Sequence, residues 1–351
     1  MKILVIGGSG NISRAIVKEA LKNNFEVTIF NRGNRKVGFE DQVEVLLGNI
    51  NDKFGFRRTM KGRFFDVVID MICFDEDDAS FIVDVFKTSA KQLIFTSSSA
   101  CYEQPLDCIP AREDMLTLRT DNSFPYGLKK ANMERYLYKV MEEGIVPITI
   151  IRPSLTFGEG CSNIGVLRQN RNIADRILKG KPLLLPGDGT ALWSFTFTPD
   201  LARAYILCCL NPNTYNKYYH VCSSELLLWK DLYLTFGKIL DREVKLCYLP
   251  TDLLYASDAQ LFGHFYFEKQ FSNLYSTEKF RKDVPSWKAE ISLFEGLTHQ
   301  LEWWERSNFP LSEEKDILED RYCSFYEIIK GEIVSYLPKH FRILPRKLAI
   351  L

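Results

Sequence analysis

The first thirteen residues, MKILVIGGSGNIS (1–13), decide the fold. An apolar run at 3–6 has the composition of a buried strand and breaks directly into the glycine-rich turn at 7–10. Apolar residues then recur at the spacing of a helix, at Ile12, Ala15, Ile16, Ala20 and Leu21. A turn between a strand and a helix N-terminus directs backbone amides and a partial positive charge at one point. The sequence therefore predicts a phosphate site in this turn.

The predicted phosphate site suits the diphosphate of a dinucleotide. Gly7 and Gly10 let the backbone approach a ligand, and Asn11 and Ile12 open the helix behind them. The spacing Gly7-x-x-Gly10-x-x-Ser13 departs from the G-x-G-x-x-G fingerprint, and a plain strand-to-helix turn is the simpler alternative. We expect a dinucleotide because a strand and a helix flank the turn at the start of the chain.

Composition limits the possible functions. The 351 residues are 46% hydrophobic and 26% charged, as in ordinary globular proteins, and the formal net charge is zero. Zero net charge gives no electrostatic basis for nucleic-acid binding, so no nucleic-acid partner is expected. The nine cysteines contain no C-x-x-C pair and the four histidines are far apart, so we expect reduced thiols and no metal site.

The sequence gives no sign of a targeting or membrane segment. Residues 1–2 lead directly into the first predicted strand, so we expect no signal peptide. No apolar run reaches the roughly 18 residues of a membrane-spanning helix, so no membrane span is expected. The expected protein is cytoplasmic, acts on a small molecule, and has a homodimer as its candidate assembly.

The first half of the chain alternates predicted strands with helical patterns. Strands are expected at 25–30, 43–47, 65–69, 92–96 and 148–151, with a helix at 126–141. This alternation is typical of a parallel sheet covered on both faces. The predicted fold class is α/β, a Rossmann-like doubly wound parallel sheet with a smaller, interleaved C-terminal substrate lobe.

The pattern becomes irregular after Gly158. Later helices are expected at 170–179, 199–210, 227–240 and 293–306, the last of them closing the main body, and later strands at 195–198 and 244–249. The segment 262–287 is rich in aromatic and charged residues and has no clear period.

These patterns give a domain division. We assign 1–160, with return segments near 195–225, to an NAD(P)-binding Rossmann domain, and 161–194 with 226–330 to a substrate-binding lobe. Residues 331–351 form a basic, apolar tail. Its two prolines, Pro338 and Pro345, break any long amphipathic helix, which favours a packed or frayed tail over a membrane contact.

Tyr126 and Lys130 lie four residues apart on a predicted helix, so their side chains share one face. An ammonium close to a phenol stabilises the phenolate and lowers its pKa from about 10, which would make Tyr126 a usable base. A surface Tyr–Lys pair is the alternative, because Y-x-x-x-K is common by chance. The pair follows the hydroxyl-rich strand end TSSS (96–99), where open α/β sheets bind ligands.

Several segments occur in the order found in one known superfamily. The chain resembles the extended short-chain dehydrogenase/reductase superfamily, in its sugar-nucleotide epimerase/dehydratase branch, over about residues 1–307. The matching segments are GGSGNIS (7–13), FNRG (30–33), LGNIND (47–52), IFTSSSACY (94–102), YGLKK (126–130), IRPSLTFG (151–158) and FTPDLARA (197–204).

The resemblance implies a catalytic triad of Ser98, Tyr126 and Lys130, with Ser99 as the fallback for the serine. It implies that Tyr126 exchanges a proton with a substrate oxygen while hydride passes to or from nicotinamide. Ser98 would hydrogen-bond the same oxygen, and Lys130 would hold the nicotinamide ribose and tune Tyr126. Further cofactor contacts are implied at Asn31, Arg32, Asn49 and Ile50.

Two departures from the family pattern bear on the substrate. Where the 4,6-dehydratases have an Asp-Glu pair, this chain has Ser99 and Ala100, and alanine transfers no proton, so a dehydratase is disfavoured. Trp193 stands where the epimerases have an arginine that binds the diphosphate of the nucleotide. Trp193 cannot pair with phosphate, which argues against a nucleotide-sugar substrate.

The end of the second predicted strand bears on the cofactor. NAD-preferring members have an acidic residue there, whereas this chain has Asn31-Arg32, with Arg35 and Lys36 close behind. A cation suits the 2′-phosphate of NADP, although a solvated turn of mixed charge is the alternative. The expected cofactor is NAD or NADP, with a slight preference for NADP.

Together these features predict an NAD(P)-dependent epimerase or ketoreductase acting on a sugar, nucleotide-sugar or sugar-like polyol. The alternative is a non-catalytic or RNA-associated protein on the same fold, because FNRG (30–33) recurs in a chloroplast RNA-binding branch. Neutral charge and the complete Ser98, Tyr126 and Lys130 set weigh against that alternative. A cofactor-binding redox sensor with slow turnover also stays open.

Overall fold

In a computed structural model the chain builds an α/β fold on a seven-stranded parallel sheet. The structure describes residues 1–35 and 37–340. The strands of this part are β1 (Lys2–Ile6), β2 (Glu26–Asn31), β3 (Glu44–Leu47), β4 (Phe65–Asp70), β5 (Ala90–Thr96), β6 (Ile148–Arg152), β7 (Leu155–Phe157), β8 (Leu183–Pro186), β9 (Phe195–Phe197), β10 (Lys217–His220) and β11 (Leu246–Leu249).

Helices fill the connections between the strands. They are α1 (Asn11–Lys22), α2 (Lys53–Met60), α3 (Glu76–Phe86), α4 (Pro125–Glu143), α5 (Asn172–Leu178), α6 (Thr198–Cys208), α7 (Trp229–Leu240), α8 (Thr251–Ser257), α9 (Ala259–His264), α10 (Glu278–Asp283), α11 (Leu293–Arg306) and α12 (Glu313–His340). A π-helical turn, Phe265–Lys269, follows α9. Within the described part of the chain, no helix is long and apolar enough to cross a membrane.

The strands of the main sheet run in the order β10-β6-β5-β4-β1-β2-β3, and every neighbouring pair is parallel. The order reverses direction beside β1, which pairs with β2 on one side and β4 on the other. Ligands of doubly wound sheets bind beyond the carboxyl ends of the strands at such a point. The predicted Rossmann-like fold class is confirmed.

Alternate residues of β1 show how the sheet is covered. Ile3 and Val5 pack into a hydrophobic cluster with α1 and α6, whereas Leu4 and Ile6 pack into another with α2, α3 and α4. Because side chains of a strand alternate between faces, each face of the sheet has its own helical layer. This double burial explains why the strands appear in the sequence as continuous apolar runs.

A separate hydrophobic cluster lies in the later half of the chain. It contains residues of β8, α5, α7 and α11, with Trp229 and Trp304 among its largest buried side chains. Two small parallel pairs, β8 with β11 and β7 with β9, contribute to it. We propose that this cluster is the core of the substrate-binding lobe at 161–194 and 226–330, while β10 and α6 return the chain to the main sheet layers.

The C-terminal part differs from the prediction. The helix at 293–306 does not close the main body, because α12 follows it and runs past Pro338 into the predicted tail. Buried Arg176 of α5 holds α12 through ion pairs with Asp316 and Glu319, so tertiary contacts rather than amphipathicity position this helix. The remainder of the tail, residues 341–351, and Lys36 lie outside the described residues.

Candidate active site

Tyr126 reaches the carboxyl edge of the sheet because α4 packs closely against the strand end before it. The helix starts at Pro125, a residue that suits the first helical position. A Cβ at Gly127 would lie only 2.3 Å from the carbonyl oxygen of Ala100, within the 3₁₀ turn Ser99–Cys101. Glycine is therefore required at this contact, and the motif YGLKK depends on its second residue as well as on the tyrosine and lysine.

Ser98 and Tyr126 meet at one cavity. Both residues line a polar cavity of about 250 Å³ at the carboxyl edge of the sheet, and the Ser98 hydroxyl lies close to the phenol of Tyr126. Ser98 also caps the following turn by accepting a hydrogen bond from the Ala100 amide at 3.2 Å. Ser99 is buried and lines the same cavity, and its hydroxyl opposes the raising of the Tyr275 pKa by burial. Both candidate serines therefore lie at the cavity, and Ser98 is the one whose hydroxyl acts on the pKa of Tyr126.

The phenol of Tyr126 is not activated as the sequence predicted. Tyr126 keeps 41% of its surface exposed towards the cavity, yet partial loss of water raises its pKa above the ordinary value of about 10. The nearby Ser98 hydroxyl opposes this shift, and the charge of Glu268 adds to it. Tyr126 is therefore a neutral phenol at neutral pH, which is the form that donates a proton.

Lys130 lies beneath the cavity and not beside the phenol. Its buried Nζ donates hydrogen bonds to the carbonyl oxygens of Cys73 at 2.6 Å and Thr96 at 2.8 Å. Burial lowers the pKa of Lys130, and the nearby Asp70 charge opposes that shift. Because two carbonyls hold the ammonium, the predicted lowering of the Tyr126 pKa by Lys130 is wrong for this structure. An ammonium has three donors, so one remains for a ligand at this edge.

The glycine turn has the form that a diphosphate site needs. Gly7 has φ +91°, and a Cβ there would lie 2.6 Å from Cγ2 of Ile72. At Gly10 a Cβ would meet just Oγ of Ser13, at 3.4 Å, so the space on that side is open. Ser13 ties the turn together by accepting from the Gly10 amide at 2.8 Å and donating to the Gly7 carbonyl at 2.9 Å. The turn is rigid and leaves room for a ligand.

The other predicted cofactor residues lie along the same edge. Asn11 accepts a hydrogen bond from the Ile12 amide at 2.8 Å, at the start of α1. Asn31 accepts one from the Gly33 amide at 2.7 Å, so it shapes the turn after β2. Exposed Arg32 has no hydrogen-bond or ion-pair partner among residues 1–35 and 37–340.

The turn after β3 holds the last two predicted contacts. Asn49 is exposed and accepts a hydrogen bond from the Asn51 amide at 3.1 Å. Ile50 is half-buried against the cluster under α2, α3 and α4. With the open side of Gly10, the unpaired Arg32 and the spare donor of Lys130, these residues fit a nicotinamide dinucleotide laid across the carboxyl edge.

The opposite wall of the cavity was not found by sequence reasoning. It comes from the lobe and carries two cations, Arg168 and Lys269, together with the buried carboxyl group of Glu268 and the indoles of Trp193 and Trp229. The segment 262–287 gave no periodic signal because it folds into short helices and a π-helical turn, a feature often found at functional sites.

A further cavity lies away from the strand ends. Its volume is about 300 Å³, and Arg14, Lys18, Pro199 and Arg306 are among its lining residues. None of the predicted catalytic residues lines it. The cavity that holds Ser98 and Tyr126 is therefore the candidate active site, although it is the smaller of the two.

A family comparison now identifies the chain. The NAD dependent epimerase/dehydratase family matches residues 3–222, which include the glycine turn, the serine-rich strand end and YGLKK. The chain belongs to this family. The match confirms the predicted resemblance to the extended short-chain dehydrogenase/reductases and the predicted enzyme class.

Two curated relatives of this family member have different described roles. The chain is 22% identical over 233 residues to 2′-dehydrokanamycin reductase of Streptomyces kanamyceticus, covering 66% of this chain and 65% of the reductase. It therefore spans less than two thirds of that relative. It is also 22% identical over 315 residues to chloroplast stem-loop binding protein of 41 kDa b of Arabidopsis thaliana, covering 85% of this chain and 77% of that protein.

Solved structures of epimerases share the fold. UDP-glucose 4-epimerase from Thermotoga maritima, solved with UDP-glucose, aligns with this family member at a TM-score of 0.72 and 18% identity. The alignment covers 88% of this chain and 100% of the epimerase. At this identity the likeness shows the common fold, and the substrate has to be argued from the residues of this chain.

Proposed function

We propose that this protein is an NADP-preferring ketoreductase that transfers hydride to a carbonyl of a sugar or sugar-like polyol. The observation that carries the proposal is that Ser98 and Tyr126 lie together at one cavity, with Lys130 held at the adjoining strand ends. The similarity to 2′-dehydrokanamycin reductase supports a reductase. An epimerase, which uses the same residues in both directions, is the neighbouring possibility within the family.

The residues of this chain would hold the cofactor along the carboxyl edge. Gly7, Gly10 and the start of α1 would receive the diphosphate, and Lys130 has the spare donor for the ribose next to nicotinamide. The dinucleotide, when bound, supplies the hydride. Unpaired Arg32 supports NADP over NAD, because a guanidinium pairs well with a 2′-phosphate.

The proton comes from this chain. Tyr126 donates its phenolic proton to the carbonyl oxygen as that oxygen gains charge, and its raised pKa keeps it protonated at neutral pH. Ser98 donates a hydrogen bond to the same oxygen and so stabilises the developing charge. Lys130 keeps its place through the carbonyls of Cys73 and Thr96.

One measurement tests the choice between reductase and epimerase. The full-length protein is purified, denatured, and the released cofactor identified by mass spectrometry. We expect an empty or weakly loaded site and NADPH consumption with ketone-bearing sugars, because a reductase exchanges its cofactor at each turnover. Tightly held NAD in one-to-one amount, with no net NADPH consumption, would instead identify an epimerase that recycles its hydride.

An RNA-associated role is the second candidate, because the stem-loop binding relative aligns over 85% of this chain. The zero net charge weighs against it, since RNA affinity depends on phosphate neutralisation. Filter binding with a stem-loop RNA at rising salt tests this role. Submicromolar, salt-sensitive binding that survives loss of Tyr126 would favour it. The homodimer and the cytoplasmic location stay predictions.

A further inference from the structure

Two cations on the lobe side of the cavity have no acidic partner. Arg168 and Lys269 line the cavity together with Tyr126, and within the described part of the chain neither has a carboxylate oxygen within 4 Å. Burial lowers the pKa of Lys269, the charge of neighbouring Glu268 opposes that shift, and the charge of Arg168 adds to it. Two cations near one carboxylate leave an excess of positive charge, and an anion is the partner that relieves it.

The loop around Arg168 is fixed by hydrogen bonds on both sides. Gln169 donates to Glu319 of α12 at 2.9 Å and to Tyr233 at 3.1 Å. Asn170 accepts from the Ile164 amide at 3.0 Å. The guanidinium therefore extends from a rigid loop, although Arg168 itself is exposed. A preorganised cation loses little entropy when an anion binds.

Lys269 is held against an aromatic wall. Its ammonium lies 5.6 Å from the ring centre of Phe265 and 5.9 Å from that of Trp229, which in turn lies 5.3 Å from Trp193. Both indole N–H groups are buried and have no partner among the described residues. Both indoles are almost fully buried, so they support the wall from behind while the positive charge of Lys269 lines the cavity.

Three other titratable groups face these cations: His264, Glu268 and Lys315, whose ammonium donates a hydrogen bond to the carbonyl oxygen of Arg168. His264 is neutral, because burial and the charges of Lys269 and Arg168 lower its pKa to about 2. Glu268 is 5% exposed, and burial raises the pKa of its carboxyl group, with opposing effects from Lys269 and Arg119. Two cations against one carboxyl group leave this wall positive even with Glu268 ionised.

We propose that the substrate is a compact acidic sugar, whose single carboxylate or phosphate group binds Arg168 and Lys269 while its carbonyl faces Tyr126. The inference rests on the proposed function, because it treats the same cavity as the substrate site. The volume of about 250 Å³ lies below the roughly 300–1,000 Å³ of ordinary ligand pockets, which favours one sugar ring over a nucleotide-sugar. Trp193, which cannot pair with a diphosphate, agrees with that choice.

Calorimetric binding to the full-length protein with NADP present tests the inference. The probes are glucuronate, glucose 6-phosphate, neutral glucose and UDP-glucose. We expect one acidic monosaccharide to bind at least about tenfold more tightly than glucose, with affinity falling as salt rises. Glucuronate and glucose 6-phosphate distinguish a carboxylate from a phosphate. Equal affinity for glucose and both acidic sugars, or tighter binding of UDP-glucose than of either, would overturn the inference.

Variants that remove single charges test whether Arg168 and Lys269 bind the acidic group of the sugar. Arg168→Gln and Lys269→Gln should each weaken the acidic sugar by about tenfold or more, whereas Glu268→Gln should strengthen it by about threefold. The matched controls are Arg58→Gln, at an exposed position of α2, and Lys179→Gln, beside Asp175. Both should leave the affinity for the acidic sugar unchanged. Unchanged affinity in both Arg168→Gln and Lys269→Gln would remove the anion site.

A further arm separates this inference from the proposed function. Tyr126→Phe should still bind the acidic sugar, because it keeps the aromatic ring and leaves the cationic wall intact. Selective, Arg168-dependent binding without any NADPH consumption by wild type would refute the reductase and leave the acidic ligand standing. NADPH consumption with neutral ketoses alone, and no selective binding of acidic sugars, would refute the acidic ligand and leave the reductase standing.

Discussion

The two walls of the cavity are built in different ways. The sheet-side wall contains Ser98 and Tyr126, and Lys130 beneath it is buried and bonded to two backbone carbonyls. The lobe-side wall presents Arg168 and Lys269 with one carboxyl group, that of Glu268, beside them. One wall therefore offers neutral hydroxyl groups for proton transfer, and the other offers positive charge for binding. Chemistry and substrate selection are separable here, and each can be altered without the other.

The sharpest separation is expected at Tyr126. Tyr126→Phe keeps the ring and removes the proton donor, so hydride transfer should fall by about 10²–10⁴-fold while substrate affinity changes little. Steady-state NADPH consumption and calorimetry measure the two effects. Ser98→Ala should also slow the reaction, and Ser99→Ala should slow it less because the Ser99 hydroxyl acts on Tyr275 rather than on Tyr126. If Tyr126→Phe transferred hydride at the wild-type rate, Tyr126 would not be the proton donor and the sheet-side wall would have no assigned part in the reaction.

Close packing should matter at Gly127 and not at Gly263. Gly127→Ala places a Cβ 2.3 Å from the Ala100 carbonyl oxygen, so α4 must shift, and we expect a loss of about 1–3 kcal/mol in stability with a slower reaction. Gly263→Ala in α9 is the matched control, since its Cβ would meet nothing closer than Tyr255 at 4.0 Å. Urea unfolding of both variants checks the contrast, and equal stabilities would contradict it.

The cofactor edge should respond to a different cation from the substrate wall. Arg32→Ala should weaken NADP by about 1–3 kcal/mol and leave NAD nearly unchanged, because the lost bond is charge-assisted. Lys269→Gln should leave both cofactors unchanged. Fluorescence titration measures the affinity of each of the two variants for NADPH and for NADH. If Arg32→Ala weakened the two cofactors equally, Arg32 would be a surface charge with no role in selecting NADP.

The smallest expected effect is a change in pH dependence. A raised folded-state pKa keeps Tyr126 protonated, so reduction should stay flat from neutral pH upwards and fall as the pH rises through that pKa, above about 10. The Ser98 hydroxyl lowers the pKa of Tyr126 in the wild type. Ser98→Ala should therefore raise that pKa and move the fall in rate to higher pH. Lys130→Met should leave it in place. If Lys130→Met moved the fall in rate to higher pH, Lys130 would be lowering the pKa of Tyr126 in the wild type.

Sequence reasoning succeeded where the information was local. The strand-turn-helix at 1–13 and the alternating strands of the main sheet follow from short-range patterns, because periodic burial determines them. The choice of Ser98 over Ser99 stays a prediction. The orientation of Lys130 did not follow. Helical spacing places it on the same face as Tyr126, whereas carbonyls of β5 and the loop after β4 capture its ammonium.

The lobe-side wall escaped prediction for a different reason. Arg168 and Lys269 are about a hundred positions apart in the sequence and lie in a loop and a π-helical turn. No period or motif connects them, and their convergence depends on how the lobe packs around its aromatic residues. Helix α12 was missed because Arg176 of α5 anchors it, which is a tertiary cause that a local pattern does not contain.

The hydrogen bond between Gln169 and Glu319 bears on how the protein is made. It joins residues 150 positions apart, and Glu319 also accepts a bond from the Leu184 amide at 2.9 Å. During synthesis the ribosome releases the strands of the main sheet well before α12, so the glycine turn and Tyr126 can reach their places first. The hydrogen bond that fixes Gln169, in the loop that carries Arg168, to Glu319 forms only after α12 has been synthesised. A growing chain would thus acquire its proton donor before its means of choosing a substrate.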